Sequence, residues 1–306
     1  MKPIPFGFRQ IDYLIAVAET GSTAAAARRL NVSQPSVSVA VAQIEAHFGA
    51  AFFLRLPGQG MQATPFGRDR IARLRALRAQ AGELFASDGG WAQELRLGAY
   101  STLAPLHTPS LMRAFADRHP GHRAVVVEDD IAALVTGLET GRLDLALLYD
   151  IGLPPSLDLT FLADIAPHAL VPPGHRLAGA GPVDLRVLAE DPVILINLPH
   201  SRGYFLSLFQ IAGARPRIAA ETRSIEMLRA MVANGLGVGL LATDLPYDMT
   251  YDGGRVVRCP IAGELPPSRI VLARARDLEP TEAMQAFTAI AQNSIAGSVA
   301  GRRSEM

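Results

Sequence analysis

The sequence is poor in cysteine and in charged residues. Its 306 residues include one cysteine, Cys259, so no disulfide can form within the chain and a reducing compartment fits. Charged residues make up 19% and hydrophobic residues 49%, which is the balance of a soluble globular protein and not of a disordered one. At this length we expect two or three domains with several buried cores.

Long apolar runs are also missing. The apolar stretch in the first seven residues is too short and too interrupted for a secretory signal peptide. No run approaches the roughly 18 consecutive apolar residues that span a membrane. We therefore expect a cytoplasmic protein with no membrane partner.

The charges that are present are unevenly distributed. Residues 1–90 contain ten basic and six acidic residues, a balance of +4, whereas residues 91–306 contain nineteen and twenty-three, a balance of −4. A positive N-terminal part favours an anionic polymer as its partner. Lys2 is the sole lysine, and arginine can pair with phosphate or guanine in a bidentate manner, although a GC-rich genome also encodes arginine.

The N-terminal segment has the pattern of short helices in close succession. Apolar residues at helical spacing predict a first helix over Phe8–Thr20. A second helix is predicted over Thr23–Leu30, capped by Ser22, and a third begins after Ser33 with Pro35 in its first turn. Two short helices joined by a three- or four-residue turn form a helix-turn-helix, whose second helix enters the major groove of DNA.

A hairpin and a long helix are predicted next. Residues 52–56 are strand-like, 57–60 are a turn signal and 61–63 can return as a second strand, which is the pattern of a wing. Thr64 caps and Pro65 opens a helix that extends to about Ser87. Its apolar stripe predicts either packing on the chain's own body or dimerisation through paired helices. The stripe comprises Ile71, Leu74, Leu77, Ala81, Leu84 and Phe85.

Beyond residue 90, strand and helix patterns alternate. This alternation predicts mostly parallel sheets that are covered by helices on both faces and divided into two lobes around a cleft. We expect lobe 1 to comprise 91–165 and 268–295, lobe 2 to comprise 166–267, and the tail after Asn293 to be loose. The predicted strands lie at 95–99, 124–128, 143–149, 168–171, 193–196, 218–220, 238–241 and 269–272, and the last helix at 280–292.

Several of these segments resemble the LysR-type transcriptional regulators of bacteria. The segment 23–38, continuing to Ile44-Glu45, resembles the family's helix-turn-helix, and 52–55, the 58–60 turn and 64–67 match its pattern in order and spacing. Segments 141–146, 172–178 and 234–239 resemble landmarks of its effector domain. The resemblance implies a winged helix-turn-helix at 1–65, a linker and dimerisation helix at 66–90, and a two-lobed α/β domain at 91–295 like that of type 2 periplasmic binding proteins.

The function implied by this resemblance is that of a DNA-binding transcription regulator under the control of a small molecule, an organic anion by the reasoning below. No catalysis, cofactor or metal is implied. The implied partners are double-stranded DNA, the effector, further copies of the chain as a dimer or a dimer of dimers, and RNA polymerase.

The candidate DNA contacts cluster at the start of the predicted reader helix. Gln34, Ser36 and Ser38 have short polar side chains that can touch base edges or phosphate. Thr23 and Ser33 stand at helix starts, where backbone N–H groups can hold phosphate, and simple helix capping is an equally good account of both. Further candidates are Pro35, Arg28, Arg29 and Arg55. Many members of the family have a polar or basic residue where this chain has Val39, and often a basic one at Gln59, so base reading here rests on fewer groups.

The candidate effector residues follow predicted strands. Ligands of open α/β sheets bind beyond the carboxyl ends of the strands, where helix N-termini converge. Hydroxyl groups, free N–H groups and an arginine suit a carboxylate or another small anion. Each serine or threonine can instead cap a helix, and the arginine can instead form a structural salt bridge. The candidates are Ser101, Thr102, Asp129, His200, Ser201, Arg202 and Thr222.

Two other function classes fit parts of the pattern. A solute-binding transport component shares the two-lobed domain, but it needs a signal peptide and no DNA-reading helix. An α/β enzyme needs a catalytic constellation, and Cys259 has no metal-ligand companion while no CxxC or HExxH motif occurs. His200 and Ser201 are neighbours in sequence, which is not the geometry of a catalytic triad. The glycine-rich 235–239 leads into a strand instead of out of one, so it fails the dinucleotide-binding pattern.

Overall fold

The computed structural model describes residues 5–56, 60–85, 93–243 and 245–303. They form an N-terminal head, a long helix and two sheet-centred lobes. Among them, no helix is both long enough and apolar enough to cross a membrane.

The head begins with three helices, α1 (Phe8–Thr20), α2 (Thr23–Leu30) and α3 (Gln34–Phe48), at the predicted positions. The caps predicted at Ser22 and Ser33 are confirmed, because the Ser22 hydroxyl accepts from the Ala25 N–H and the Ser33 hydroxyl from the Ser36 N–H. Thr23, also a cap candidate, is instead the first residue of α2. Asn31 ends α2 in the left-handed conformation, at a φ of 54°, and so turns the chain sharply into α3. The helices pack around a shared core that includes the fully buried Leu14.

The wing is also confirmed, since β1 (Phe53–Leu56) pairs with β2 (Gly60–Ala63) in antiparallel register. The turn residues 57–59, Gln59 included, lie outside the described residues. The next helix, α4 (Pro65–Phe85), starts where Thr64 accepts a 2.9 Å hydrogen bond from the Gly67 N–H. A Cβ at position 67 would lie 2.1 Å from the carbonyl oxygen of Phe52, so only glycine lets α4 pack this closely on the wing.

The apolar stripe of α4 is divided between two environments. Ile71 and Leu74, 1% and 9% exposed, pack into the core of the head, so they have the first of the two predicted roles, packing on the chain's own body. Placing these two side chains in a subunit interface would be wrong, because the head already covers them. Leu77 remains 44% exposed. The side chains of Leu84 and Phe85 lie outside what the structure describes.

Each lobe is built on one five-stranded sheet. The lobe 1 sheet contains β3 (Gln93–Tyr100), β4 (His122–Asp129), β5 (Leu145–Tyr149), β6 (Leu157–Ile165) and β12 (Ser268–Ala275), in the order β4-β3-β5-β12-β6. The lobe 2 sheet contains β7 (His168–Val171), β8 (Pro192–Ile196), β9 (Arg217–Thr222), β10 (Val238–Leu241) and β11 (Val257–Pro260), in the order β11-β7-β10-β8-β9. The helices are α5 (Ala104–Arg118), α6 (Ile131–Glu139), α7 (Leu185–Leu188), α8 (Ser201–Ile211), α9 (Ile225–Ala233) and α10 (Glu282–Arg303).

Both sheets are mixed, with one reversed strand in each. In lobe 1, β3 runs parallel to β4 and β5, whereas β12 is antiparallel to β5 and β6. In lobe 2, β8 runs parallel to β9 and β10, whereas β7 is antiparallel to β10 and β11. Each reversed strand is the first strand after the chain crosses from one lobe to the other.

Three elements of the effector domain were not predicted, namely β6, β11 and the short α7. The expected loose tail after Asn293 is wrong, because α10 continues through this residue to Arg303. Strand β6 pairs only with β12, more than 100 residues later in the chain, so no local partner signals it.

Candidate DNA interface and effector cleft

Helix α3 has a buried face and an opposite, exposed face. Val37, Val41 and Ile44 point into the core of the head. Val39 is 55% exposed on the other side of the helix, where Ala42 is exposed as well. The helix is therefore anchored along one side and presents the other to solvent, as a major-groove reader requires.

The structure brings five of the predicted DNA contacts together at the N-terminus of α3. The amide of Gln34 donates to the hydroxyl oxygens of Thr23 at 3.2 Å and Ser38 at 2.8 Å. The hydroxyls of Ser33 and Ser36 share a 2.7 Å hydrogen bond. These polar groups therefore form a preorganised cluster at the solvent-facing start of the helix, where the Ser36 N–H is already paired with the Ser33 hydroxyl.

The other predicted DNA contacts surround this cluster or lie on the wing. Pro35 is exposed in the first turn of α3, Arg28 is exposed near the end of α2, and Arg55 is exposed on β1. Arg29 pairs with Glu19 at 2.6 Å, and its side chain is still 57% exposed.

A buried arginine that the sequence analysis did not single out joins the head to lobe 1. Arg75 is 6% exposed and donates to the Glu19 carboxylate at 3.1 Å and to the Thr140 carbonyl oxygen at 2.5 Å. Burial lowers the pKa of Arg75 to about 10, against the opposing effect of the Glu19 charge. Its spacing was the available signal, because position 75 follows Ile71 by four residues and shares its helical face.

A small cavity lies between the two lobes. The cavity has a volume of about 20 Å³, and holding one water takes about 10–15 Å³. Its polar lining consists of the hydroxyl groups of Thr102, Tyr149, Ser201, Tyr204, Thr243 and Ser268, and the rest is apolar. Among the described residues, no charged side chain lines this cavity.

Two tyrosines form hydrogen bonds that cross between the lobes near the cavity. The Tyr100 hydroxyl, from lobe 1, lies 3.3 Å from the Ser201 hydroxyl of lobe 2. The Tyr149 hydroxyl lies 3.3 Å from that of Thr243, again across the lobes. Burial raises the pKa of Tyr100, and it raises the pKa of Tyr149 to about 12, so both phenols are neutral hydrogen-bonding groups at physiological pH.

Of the seven predicted effector residues, Thr102 and Ser201 line the cavity, and Ser101 directly precedes Thr102. Ser101 and the other four do not contribute to its lining. Asp129 is exposed and accepts from the Asp130 N–H at 2.8 Å, and Thr222 accepts from the Ser224 N–H at 3.2 Å. His200 is exposed and left-handed, with a φ of 68°.

Arg202 requires a correction, because it does not point at the cavity as an anion ligand. Its guanidinium pairs with Glu221 at 2.9 Å, and Asn197 donates to the other oxygen of that carboxylate at 2.7 Å. The salt-bridge alternative is therefore the one found. Sequence reasoning also missed Tyr149 and Thr243, whose positions at the ends of β5 and β10 were the available signal.

Comparisons with known proteins agree with this architecture. Residues 8–68 match the family model described as a bacterial regulatory helix-turn-helix protein of the lysR family, and residues 88–296 match the LysR substrate binding domain. A probable hydrogen peroxide-inducible genes activator of Streptomyces viridosporus is 32% identical over 271 residues, 86% of each chain.

Two solved structures from Pseudomonas aeruginosa are similar along nearly their full length. HinK, a LysR family transcriptional regulator, is 34% identical with a TM-score of 0.65, and the match covers 96% of this chain and 99% of HinK. A full-length OxyR variant has a TM-score of 0.74 at 23% identity, covering 94% and 97%, and shows the shared fold. The chain belongs to the LysR family of transcriptional regulators, which bind DNA through the helix-turn-helix and respond to an effector through the two-lobed domain.

Proposed function

We propose that this regulator responds to a small organic anion that binds reversibly between lobes 1 and 2, and that it catalyses no reaction. The observation that carries the proposal is that the N-termini of three helices contribute residues to the cavity wall. Thr102 lies just before α5, Ser201 is the first residue of α8 and Ile225 is the first residue of α9, and all three line the cavity. Three helix N-termini thus meet at one small space.

Helix N-termini carry a partial positive charge and free N–H groups, which stabilise a carboxylate. The surrounding hydroxyl groups add neutral hydrogen-bond donors. Without a charged side chain in the described lining, this wall favours one negative charge on a small, partly apolar molecule over a polyanion.

The volume of the cavity supports binding to an opened form of the domain. The enclosed part of the cavity is smaller than an organic acid, and we propose that the lobes separate as the effector enters. An effector that binds only the separated arrangement shifts the equilibrium towards it.

Reversible binding is proposed in preference to thiol oxidation, although several relatives are named as probable hydrogen peroxide-inducible activators. Cys259 is the chain's one cysteine and is 2% exposed in β11. Its thiol donates to the carbonyl oxygen of Leu177, and burial raises its pKa. Peroxide reacts with exposed thiolates, and this thiol is neither exposed nor ionised.

The effector part of the proposal is tested by thermal melting of the wild type against small carboxylates and their uncharged amides. A carboxylate that binds the native state raises the melting temperature, and its amide does so less. In titration calorimetry, Ser201→Ala should weaken the binding of that carboxylate, whereas Ser207→Ala, on the same helix but bonded to the Tyr204 carbonyl, should not. Stabilisation by amides alone would contradict the anionic class.

On the DNA side, we propose that α3 reads base edges with Gln34, Ser36 and Ser38 while Arg28, Arg29 and Arg55 bind phosphate. Arg28→Ala should weaken specific and random duplex equally, whereas Ser36→Ala should weaken the specific site by about 1–3 kcal/mol more. Fluorescence anisotropy measures the affinity of each variant for both duplexes. A Ser36→Ala variant that loses as much affinity for the random duplex as for the specific one would contradict the assignment. RNA polymerase as a partner, assembly as a dimer of dimers and a cytoplasmic location stay predictions.

A further inference from the structure

The outward face of the reader helix is apolar at its centre. Pro35, Val39, Ala42 and Ala46 are all exposed, and their spacing of four, three and four residues puts them on one line opposite the buried stripe. Val39, at 55% exposed, is the largest aliphatic side chain on this line. Ala42, one turn further along the helix, has a small side chain, so a partner with a flat surface can approach Val39 closely.

The polar side chains that flank this line are bonded to one another. Gln34 donates both amide hydrogens within the head, to Thr23 and Ser38. Gln43 accepts a 2.7 Å hydrogen bond from Gln10 of α1. Using these groups for base contacts means exchanging existing hydrogen bonds, whereas Val39 can be buried with no such exchange.

The face of a helix that enters the major groove meets base edges, and one base edge there is apolar. Thymine displays its 5-methyl group in the major groove, beside the acceptor and donor groups of the base pairs. We propose that Val39 packs on the 5-methyl group of a thymine in each half-site and so determines specificity at that base pair. The inference rests on the proposed reading of base edges by α3.

Charge favours DNA over a protein as the occupant of this face. The first 90 residues carry a balance of +4, and Arg28 and Arg55 are exposed in the head. A protein partner would have to match both the positive charge around this face and its apolar line. Duplex DNA matches the positive charge with its phosphates.

The test removes one methyl group from the DNA and, separately, the isopropyl group from the protein. Selection from a random duplex library with the full-length wild type yields the preferred site. Each thymine in it is then replaced singly by deoxyuridine, which lacks only the 5-methyl group. Affinity is measured for the wild type, Val39→Ala and Val39→Thr, which keeps one methyl group. Val127→Ala, at a 45% exposed valine of lobe 1, is the matched control.

We expect one thymine per half-site at which uracil weakens wild-type binding about fourfold, the ratio that corresponds to ~0.8 kcal/mol for one buried methyl group. Val39→Ala should bind thymine and uracil sites equally, Val39→Thr should keep part of the preference, and Val127→Ala should match the wild type. A thymine preference that persists in Val39→Ala, or no uracil effect at any position of a selected site, overturns the inference alone. Failure to select any site overturns the proposed reading of DNA and this inference with it.

Discussion

Arg75 bonds to Glu19 of the first helix and to the backbone of Thr140 in lobe 1, so one buried side chain connects the DNA-binding head to the effector domain. Its side chain is 5% exposed and that of Glu19 25%. Water therefore screens this pair much less than it screens the ion pairs on the outer surface of α4.

Replacing Arg75 by methionine should destabilise the protein by about 2 kcal/mol or more, because hydrogen bonds to charged groups contribute about 1.5–3 kcal/mol each. Urea unfolding followed by circular dichroism measures the loss. Arg73→Met is the control on the same helix, since Arg73 forms exposed pairs with Asp69 and Asp277 that are expected to contribute less than about 1 kcal/mol. Equal unfolding midpoints for the two variants would refute the special role of the buried arginine.

Two glycines of α4 should respond to alanine in opposite ways. A Cβ at Gly67 meets backbone atoms of Phe52, which cannot rotate away, so Gly67→Ala should cost more than about 3 kcal/mol, beyond the usual 1–3 kcal/mol of overpacking. A Cβ at Gly82 has nothing within 4 Å, and Gly82→Ala should stabilise by up to about 1 kcal/mol through helix propensity. Thermal melting separates the two, and a Gly67→Ala protein as stable as the wild type would show that α4 can move off the wing.

His168 should make the protein less stable as the pH falls below neutrality. Burial, with help from the Arg258 charge, lowers the pKa of His168 from 6.5 to about 3. Between these values the unfolded chain binds a proton that the folded chain does not, so stability is complete above pH 6.5 and declines as the pH falls towards 3. The slope is up to about 1.4 kcal/mol per pH unit.

This effect is measurable by urea unfolding at pH 7.0 and 5.5, where we expect a loss of about 1 kcal/mol from this residue. His168→Asn should reduce the loss, because it removes the buried imidazole that stays neutral in the folded chain. A His168→Asn protein with the full wild-type pH dependence would assign the proton uptake to other groups.

Cys259 should be inert to thiol reagents and to peroxide in the native protein, since it is buried in β11 and its pKa is raised. Labelling with an aromatic disulfide should require urea, and stoichiometric hydrogen peroxide should leave DNA affinity unchanged. Cys259→Ser should bind DNA as the wild type does. Rapid labelling of the native thiol, together with a peroxide response that Cys259→Ser lacks, would replace the small-anion proposal by redox sensing.

The features that the sequence predicted correctly are those decided by a few neighbouring residues. Ser33 and Pro35 specify the start of α3 within four positions, and Thr64 and Pro65 specify the start of α4 in the same way. Such caps form in the same place whatever the tertiary surroundings are.

The features that it could not predict depend on partners far along the chain. The sequence leaves Arg202 open as an anion ligand or a salt-bridge partner, and only the structure places Glu221 of strand β9 beside it. Tyr149 bonds to Thr243, 94 residues away, and only the closure of the two lobes brings them together. The wall of the effector cleft is for this reason less predictable than the reader helix, although the motifs identified the family to which the whole chain belongs.

The closed cleft also has a kinetic consequence. Under the proposed function the effector binds only after the lobes separate, so it cannot form a productive encounter with the arrangement in which Tyr149 bonds to Thr243. Its observed association rate should rise with concentration only until it equals the rate at which the lobes part, and then level off. The response time of the regulator to a sudden excess of effector is then set by the rate of lobe separation, which includes breaking the Tyr100–Ser201 and Tyr149–Thr243 contacts, and not by diffusion.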